Sequence, residues 1–308
     1  MDISSTSLSV ESKGNVTDRY QAALAASKVT VSDETVANEV KKILEKSSEY
    51  NVPEVWKFLL GSIDLTTLST EDSEKSVARF TQRVNDFDND YPQYRHVAAI
   101  CVYSNFAEVV KTNLDVEDVD VCVVAGCFPS SQAFVEVKVA DVALAVANGA
   151  QEVDVVLNIG MFNDENYEGL CDELIELKHA AKNARLKVIL ETGCLKTAEK
   201  IRNASILSMY CDADFIKTST GKIYPGASLE AAYVMCQCIK EYYEKTGRKV
   251  GFKAAGGVRT TDEAVQYYTL VKEILGDEWL NADLFRIGAS SLANNILSSL
   301  EGETVKFF

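Results

Sequence analysis

Histidine is nearly absent from this 308-residue chain, basic charge is in deficit, and no long apolar run occurs. Each shortage excludes something. Two histidines, His96 and His179, supply a zinc site poorly, and neither stands where a strand is expected to end. The net charge of −15 and the pI near 4.7 argue against general binding to nucleic acid or anionic membrane, since either needs a basic face. Any site for an anionic substrate must then be local, made of backbone amides and one or two lysines. No stretch approaches the about 18 apolar residues of a membrane span. Met1–Val10 has neither the basic start nor the apolar run of a secretory signal. Eight cysteines are present without paired C-x-x-C motifs, so free thiols in a reducing, cytoplasmic setting are expected rather than disulfides. No Gly-x-Gly-x-x-Gly follows the first strand, which disfavours a dinucleotide-binding fold.

What is present alternates. Short apolar runs at Phe58–Thr66, Val97–Tyr103, Val121–Gly126, Glu152–Leu157, Lys187–Thr192, Asp214–Ser219, Lys249–Ala254 and Leu284–Ala289 read as strands. Helical spacing fills the intervals, for example Val137–Ala147, Tyr167–Ala184 and Ser228–Lys245, and Glu71 to Asp86 is helix-like as well. Near-continuous Val/Ile/Leu strands alternating with helices indicate a parallel sheet covered on its outer face. Eight such units predict a closed (β/α)8 TIM barrel, commonly a single domain of roughly 250 residues. The barrel is expected over 51–300, with an N-terminal extension over 1–50 and a tail over 301–308. The first 30 or so residues show no clear period and are expected to be partly disordered. Ser32-Asp33-Glu34 then opens an accessory helix with Val36, Val40, Ile43 and Leu44 on one face.

Reactive groups of such barrels sit at the C-terminal strand ends. Lys217 and Lys253 fall there on neighbouring strands. A buried ammonium is costly, and two facing each other disfavour one another's charge, which would produce the free amine that attacks a carbonyl. The alternative is that they snorkel at the rim as ordinary surface lysines. Asp154, inside an apolar strand, must be paired or functional, either as a structural salt bridge or as a proton carrier. Gly256-Gly257 and Gly288-Ala-Ser290-Ser291 end the last two strands and open helices, the usual phosphate seat of this fold. Lys222 adds a positive charge nearby.

At these residues the chain resembles the deoxyribose-phosphate aldolase family, in its eukaryotic branch. The matching stretches are Ile63-Asp64-Leu-Thr66-Thr-Leu68, Ala98-Ala-Ile-Cys101-Val-Tyr103, Gly149-Ala-Gln-Glu-Val-Asp154, Asp214-Phe-Ile-Lys217-Thr-Ser-Thr220-Gly221-Lys222, Gly251-Phe-Lys253-Ala-Ala-Gly256-Gly257-Val-Arg259 and Phe285-Arg-Ile-Gly-Ala-Ser290-Ser291. They recur in family order over roughly residues 55 to 295. The resemblance implies reversible cleavage of 2-deoxy-D-ribose 5-phosphate to acetaldehyde and D-glyceraldehyde 3-phosphate, in deoxyribonucleotide catabolism, with no metal or organic cofactor. It implies Lys217 as the Schiff-base lysine, Lys253 as the group that depresses its pKa, and Asp154 as proton relay. It places Thr220, Gly221, Lys222, Gly256, Gly257, Ser290 and Ser291 at the phosphate, and Asp64 and Thr66 along the pocket. Cys101 matches a thiol near the mouth, or is a small packed residue. The expected partners are a phosphosugar and small aldehydes, with a homodimer compatible with the sequence. Three positions depart from the family pattern. Ser69 replaces a common Asn, Ala254 a usual Pro, and Phe308 a terminal Tyr that assists proton exchange in some members. Proton transfer at that carbon is then expected to rely on water or on Lys253 and Asp154. Competing readings are another Schiff-base barrel enzyme, such as a transaldolase or keto-acid aldolase, and an inactive scaffold barrel. The scaffold is opposed by the desolvation cost of three charges at a barrel mouth.

Overall fold

In a computed structural model, which describes residues 16–28 and 32–308, eight parallel strands close in sequence order into a barrel. They are β1 (Ile63–Thr66), β2 (Ala99–Tyr103), β3 (Asp120–Ala125), β4 (Glu152–Val156), β5 (Arg185–Ile189), β6 (Phe215–Lys217), β7 (Gly251–Ala255) and β8 (Phe285–Ala289). The expected TIM barrel is present. Period-2 alternation divides each strand between two environments. Val121, Val153, Leu186, Ile216, Phe252 and Phe285 belong to the main core that the outer helices complete. Ala99, Cys101, Cys122 and Val124 form a separate small cluster with Leu68, Tyr103 and Phe128.

The predicted first strand needs correction. Val52 is extended and Pro53 stands at the start of a helix, Pro53–Leu60, so only Ile63–Thr66 of the expected Phe58–Thr66 is strand. The apolar run that suggested a strand is the buried face of that helix, with Val55, Leu59 and Leu60 inside. The N-terminal extension contains a helix the sequence reading lacked, Val16–Ala26. Residues 1–15 and 29–31, where disorder was expected, lie outside the described residues.

The accessory helix is Asp33–Leu44, capped by Ser32 and burying Val36 and Val40 as its spacing indicated. The extension is pinned to the barrel through polar contacts. Arg202 donates to the Leu24 and Ser27 carbonyls, Lys245 to that of Ala26, and Glu241 accepts from Ser27 Oγ. Asp33 accepts the Ala198 amide at the start of the Ala198–Tyr210 helix.

The last helix, Leu292–Glu301, ends at Gly302 in left-handed conformation, and the chain doubles back. The Asn294 side chain accepts from the Phe307 and Phe308 amides and donates to the Phe308 carbonyl. The Phe308 ring stacks on Phe87 at 5.4 Å between centroids. Among the described residues no helix is long and apolar enough to cross a membrane.

Among the described residues, a buried ion pair also lies outside the barrel. Lys138, on the Val135–Ala147 helix, places Nζ 2.7 Å from Glu173 and donates to Ser131 Oγ in the loop after β3. Lys138 is fully buried and Glu173 nearly so. Lys138→Met should lower the unfolding free energy by about 3–5 kcal/mol, because it strands the Glu173 charge. Adding Glu173→Leu should recover most of the loss in urea denaturation. Equal losses in the single and double variants would show that packing, rather than the pair, is responsible.

Candidate active site

Seven charged side chains meet inside the barrel. Asp64 (β1), Glu152 and Asp154 (β4), Lys187 (β5), Lys217 (β6), Lys253 (β7) and Arg286 (β8) are each at most 4% exposed. Charges buried to this degree must be paired. Asp64 is bound by Lys253, by Arg286 at 2.6 Å and by Lys187 at 3.2 Å. Glu152 is bound by Lys187 and Arg286, and at its outer edge by Arg185. Asp154 Oδ2 accepts from both Lys217 and Lys253 at 2.7 Å, and Oδ1 lies 3.4 Å from Lys187.

The three lysines differ in how completely they are neutralised. Lys187 faces three carboxylates and Lys253 two, whereas Lys217 has Asp154 alone and shares it. Burial disfavours the Lys253 ammonium, but Asp154 and Asp64 outweigh it and hold its pKa above the ordinary lysine value. The same contest at Lys187, with Asp154 and Asp64 the leading carboxylates, raises its pKa as well. Burial works against the Asp154 carboxylate too, yet Lys187, Lys217 and Lys253 hold it well below the usual carboxylate range. Three carboxylates therefore face four basic groups, and the least neutralised is Lys217. Of the two neighbouring lysines, Lys253 is the one held as a cation, by two acids.

Lys217 is also the member that reaches the open mouth of the barrel. It lines a cavity of about 260 Å³ at the mouth, together with Thr66, Thr220, Gly221, Lys222, Gly256, Gly257, Arg259, Ser290 and Ser291. No acidic residue stands in that wall, although the chain carries −15 overall. Asp64, Asp154, Lys253 and Cys101 do not line it. Asp64 lies two residues before Thr66 on β1, one layer deeper, with both oxygens in ion pairs. A groove of about 510 Å³ between the Asp33–Leu44 helix and the loops after β5 and β6 is roomier. Its charged residues Asp33, Lys196 and Glu230 are solvent-exposed, so chemistry rather than size singles out the mouth.

Local backbone geometry explains the glycines. A side chain at Gly288 would bring Cβ to 3.0 Å from Lys253 Cε, so the glycine makes room for the lysine. Gly256, at φ +85°, touches Gly226, where a Cβ would lie 2.1 Å from the Gly256 carbonyl oxygen. Ser291 precedes the ten-residue Leu292–Glu301 helix, whose N-terminus favours an anion.

Sequence reasoning missed Lys187, Glu152, Arg286, Arg259 and Glu191. The first three carry the signal that found Asp154, a charge inside an apolar strand, and the alternation puts them on the inner face. Glu191, two residues past the end of β5, is in left-handed conformation and accepts from the Thr220 amide at 3.2 Å and hydroxyl at 2.5 Å. A non-glycine residue held at positive φ in a site is a constraint that no composition pattern announces.

Known proteins share this arrangement of sequence. A model of the DeoC/LacD family aldolases matches residues 58–294. Deoxyribose-phosphate aldolase from Mus musculus is 38% identical over 290 residues, covering 88% of this chain and 89% of the mouse protein. The Homo sapiens enzyme of that name is 38% identical over 244 residues, covering 76% and 77%. The tetrameric deoxyribose phosphate aldolase from Aeropyrum pernix superposes with a TM-score of 0.64 at 24% identity, covering 84% of this chain and 97% of its own, and supports the fold. The chain belongs to the DeoC/LacD aldolase family.

Proposed function

We propose that the chain cleaves 2-deoxy-D-ribose 5-phosphate reversibly to acetaldehyde and D-glyceraldehyde 3-phosphate, with Lys217 as the Schiff-base lysine. The observation that carries this reading is the contrast among the barrel lysines. Lys217 alone of the three opens onto the mouth cavity, and it has the fewest carboxylates.

The neutral Lys217 amine attacks the C1 aldehyde carbon of the open-chain sugar, and loss of water leaves a protonated imine. Removal of the C3 hydroxyl proton releases the C2–C3 electrons into that imine. Glyceraldehyde 3-phosphate departs, and an enamine remains on Lys217. Protonation at C2 and hydrolysis return acetaldehyde and the amine. Asp154, kept anionic by the lysines around it, carries the proton with Lys253 through water, while Asp64 holds Lys253 in place. Lys222, Arg259 and the backbone of Gly221, Gly256, Gly257, Ser290 and Ser291 seat the phosphate, with Thr66 and Thr220 along the sugar. Cys101 sits beside Thr66 in the barrel register, behind the wall. We further place the protein in the cytoplasm, where its eight free thiols stay reduced, and take the working form to be a homo-oligomer such as a dimer.

Borohydride reduction in the presence of acetaldehyde should fix a two-carbon adduct on Lys217 and nowhere else, as read by peptide mass mapping. An adduct on Lys253 or Lys187 would refute the assignment. Asp154→Asn keeps the shape but removes the anion, and should lower kcat by about 10²–10⁴-fold, the range for a positioned acid–base group. Trapping at Lys217 should persist in that variant if Asp154 serves proton transfer rather than folding. Phe308→Tyr should leave kcat and the exchange of acetaldehyde methyl protons with solvent within twofold, because its ring packs on Phe87 rather than in the mouth. A severalfold rise in exchange would make the tail a relay after all.

A further inference from the structure

Two thiols in the barrel have no part in the chemistry above. Cys101 on β2 and Cys122 on β3 are directly paired in the strand register, both on the inner face, and both are buried. Their sulfurs and a carboxylate oxygen of Asp154 all lie within 4.8 Å of one another. Cys122 Sγ donates to Asp154 Oδ1 at 3.4 Å and accepts from Lys187 Nζ at 3.3 Å. Directly opposed residues on adjacent strands lie about 4.8 Å apart at Cα, inside the about 4.4–6.8 Å window that a disulfide bridges.

We propose that Cys101 and Cys122 form a peroxide-sensitive thiol pair whose oxidation to a disulfide inside the barrel reversibly stops catalysis. The consequence for activity rests on the assignment of Lys217 and Asp154 above; the disulfide itself does not.

The two thiols are unequal in the way such a reaction needs. Interaction with the Cys122 side chain draws the Cys101 thiol below the ordinary cysteine range, and the nearby Lys253 charge assists against burial. Burial, followed by the interaction with Cys101, pushes Cys122 well above it. Cys101 is thus the attacking sulfur and Cys122 the resolving one. The Cys101 thiolate attacks one peroxide oxygen, breaking the O–O bond, and the departing hydroxide takes a proton to become water. The resulting sulfenic acid is attacked by Cys122 sulfur, the S–S bond forms, and a second water leaves with the Cys122 proton. Two electrons pass from the pair to the peroxide.

Access follows the substrate. Cys101 is the register partner of Thr66, which lines the mouth cavity, and a peroxide is no larger than the two-carbon aldehyde handled at Lys217. The bridge removes the thiol proton that Asp154 accepts and draws the sulfur that accepts from Lys187 into the S–S bond, so the carboxylate shared by Lys217 and Lys253 loses its setting. The same two sulfurs and Asp154 have the spacing of a cation site, but three ammoniums already crowd that carboxylate, and a divalent ion would add to their repulsion. A neutral disulfide adds none.

The test treats the full chain with hydrogen peroxide and follows cleavage activity alongside non-reducing peptide mapping. The expected result is a linked Cys101–Cys122 peptide appearing in step with a loss of at least tenfold in kcat, restored by dithiothreitol to within twofold. In Cys122→Ser, scored against its own untreated activity, prolonged peroxide should give an irreversible loss with Cys101 at the sulfinic or sulfonic level. A linked peptide without loss of activity would overturn the proposal. So would loss without the link, for example through Cys127 or Cys194, or a loss equally reversible in Cys122→Ser. Borohydride trapping on the reduced protein checks Lys217 separately, so failure of the switch and failure of the aldolase reading are distinguishable.

Discussion

One carboxylate oxygen organises this barrel. Asp154 Oδ2 accepts from Lys217 and Lys253 at equal distance, and the other oxygen faces Lys187 and Cys122. Remove it and three buried ammoniums lose their shared counter-charge. Keep it and the remaining acids, Asp64 and Glu152, are sufficient to hold Lys187, Lys253 and Arg286. The outer face of the same strands is apolar and packs on the helices, so the fold tolerates a polar interior because its stability comes from the other side of the sheet. The inner network is then free to serve chemistry rather than cohesion.

Division of labour among identical residue types follows from position along the strand. Lys217 ends β6 and meets the cavity, whereas Lys187 lies mid-strand among carboxylates. Lys253, two residues before the end of β7, lies one layer under the mouth, where its charge is fixed. Intrinsic side-chain chemistry does not separate these lysines. Their depth in the barrel and the number of acids in reach do.

Much of this was legible in the chain, and the reasons are particular. Periodicity located seven strands within a few residues, because parallel strands covered by helices are apolar throughout. It failed at Phe58–Leu60, where the buried face of a short helix imitates a strand and Pro53 was the overlooked signal. The Val16–Ala26 helix was missed because its apolar residues are mostly alanines, which carry little periodic contrast. The strand-end rule brought Lys217, Thr220, Gly256 and Ser290 to one wall. The partners of each charge stayed hidden, since pairing joins Asp64 to Arg286 across 222 positions and no single sequence encodes which acid meets which base. Glu191 was hidden for another reason, as its role lies in a strained backbone rather than in its residue type.

The contact between Gly226 and Gly256 has a mechanical consequence. Backbone touches backbone there with no side chain between, and the Ala227 amide binds the carbonyls of Ala255 and Gly256. The loop after β6, which carries Thr220 and Lys222, and the loop after β7 therefore form one stiff body with almost no slack to absorb a displacement. An anion on Gly256 and Gly257, just past β7, would bear on the turn that follows Lys217. Energy gained at the remote end of a substrate can in this way be spent on alignment at the nitrogen, so the two ends of the ligand are read as a single length.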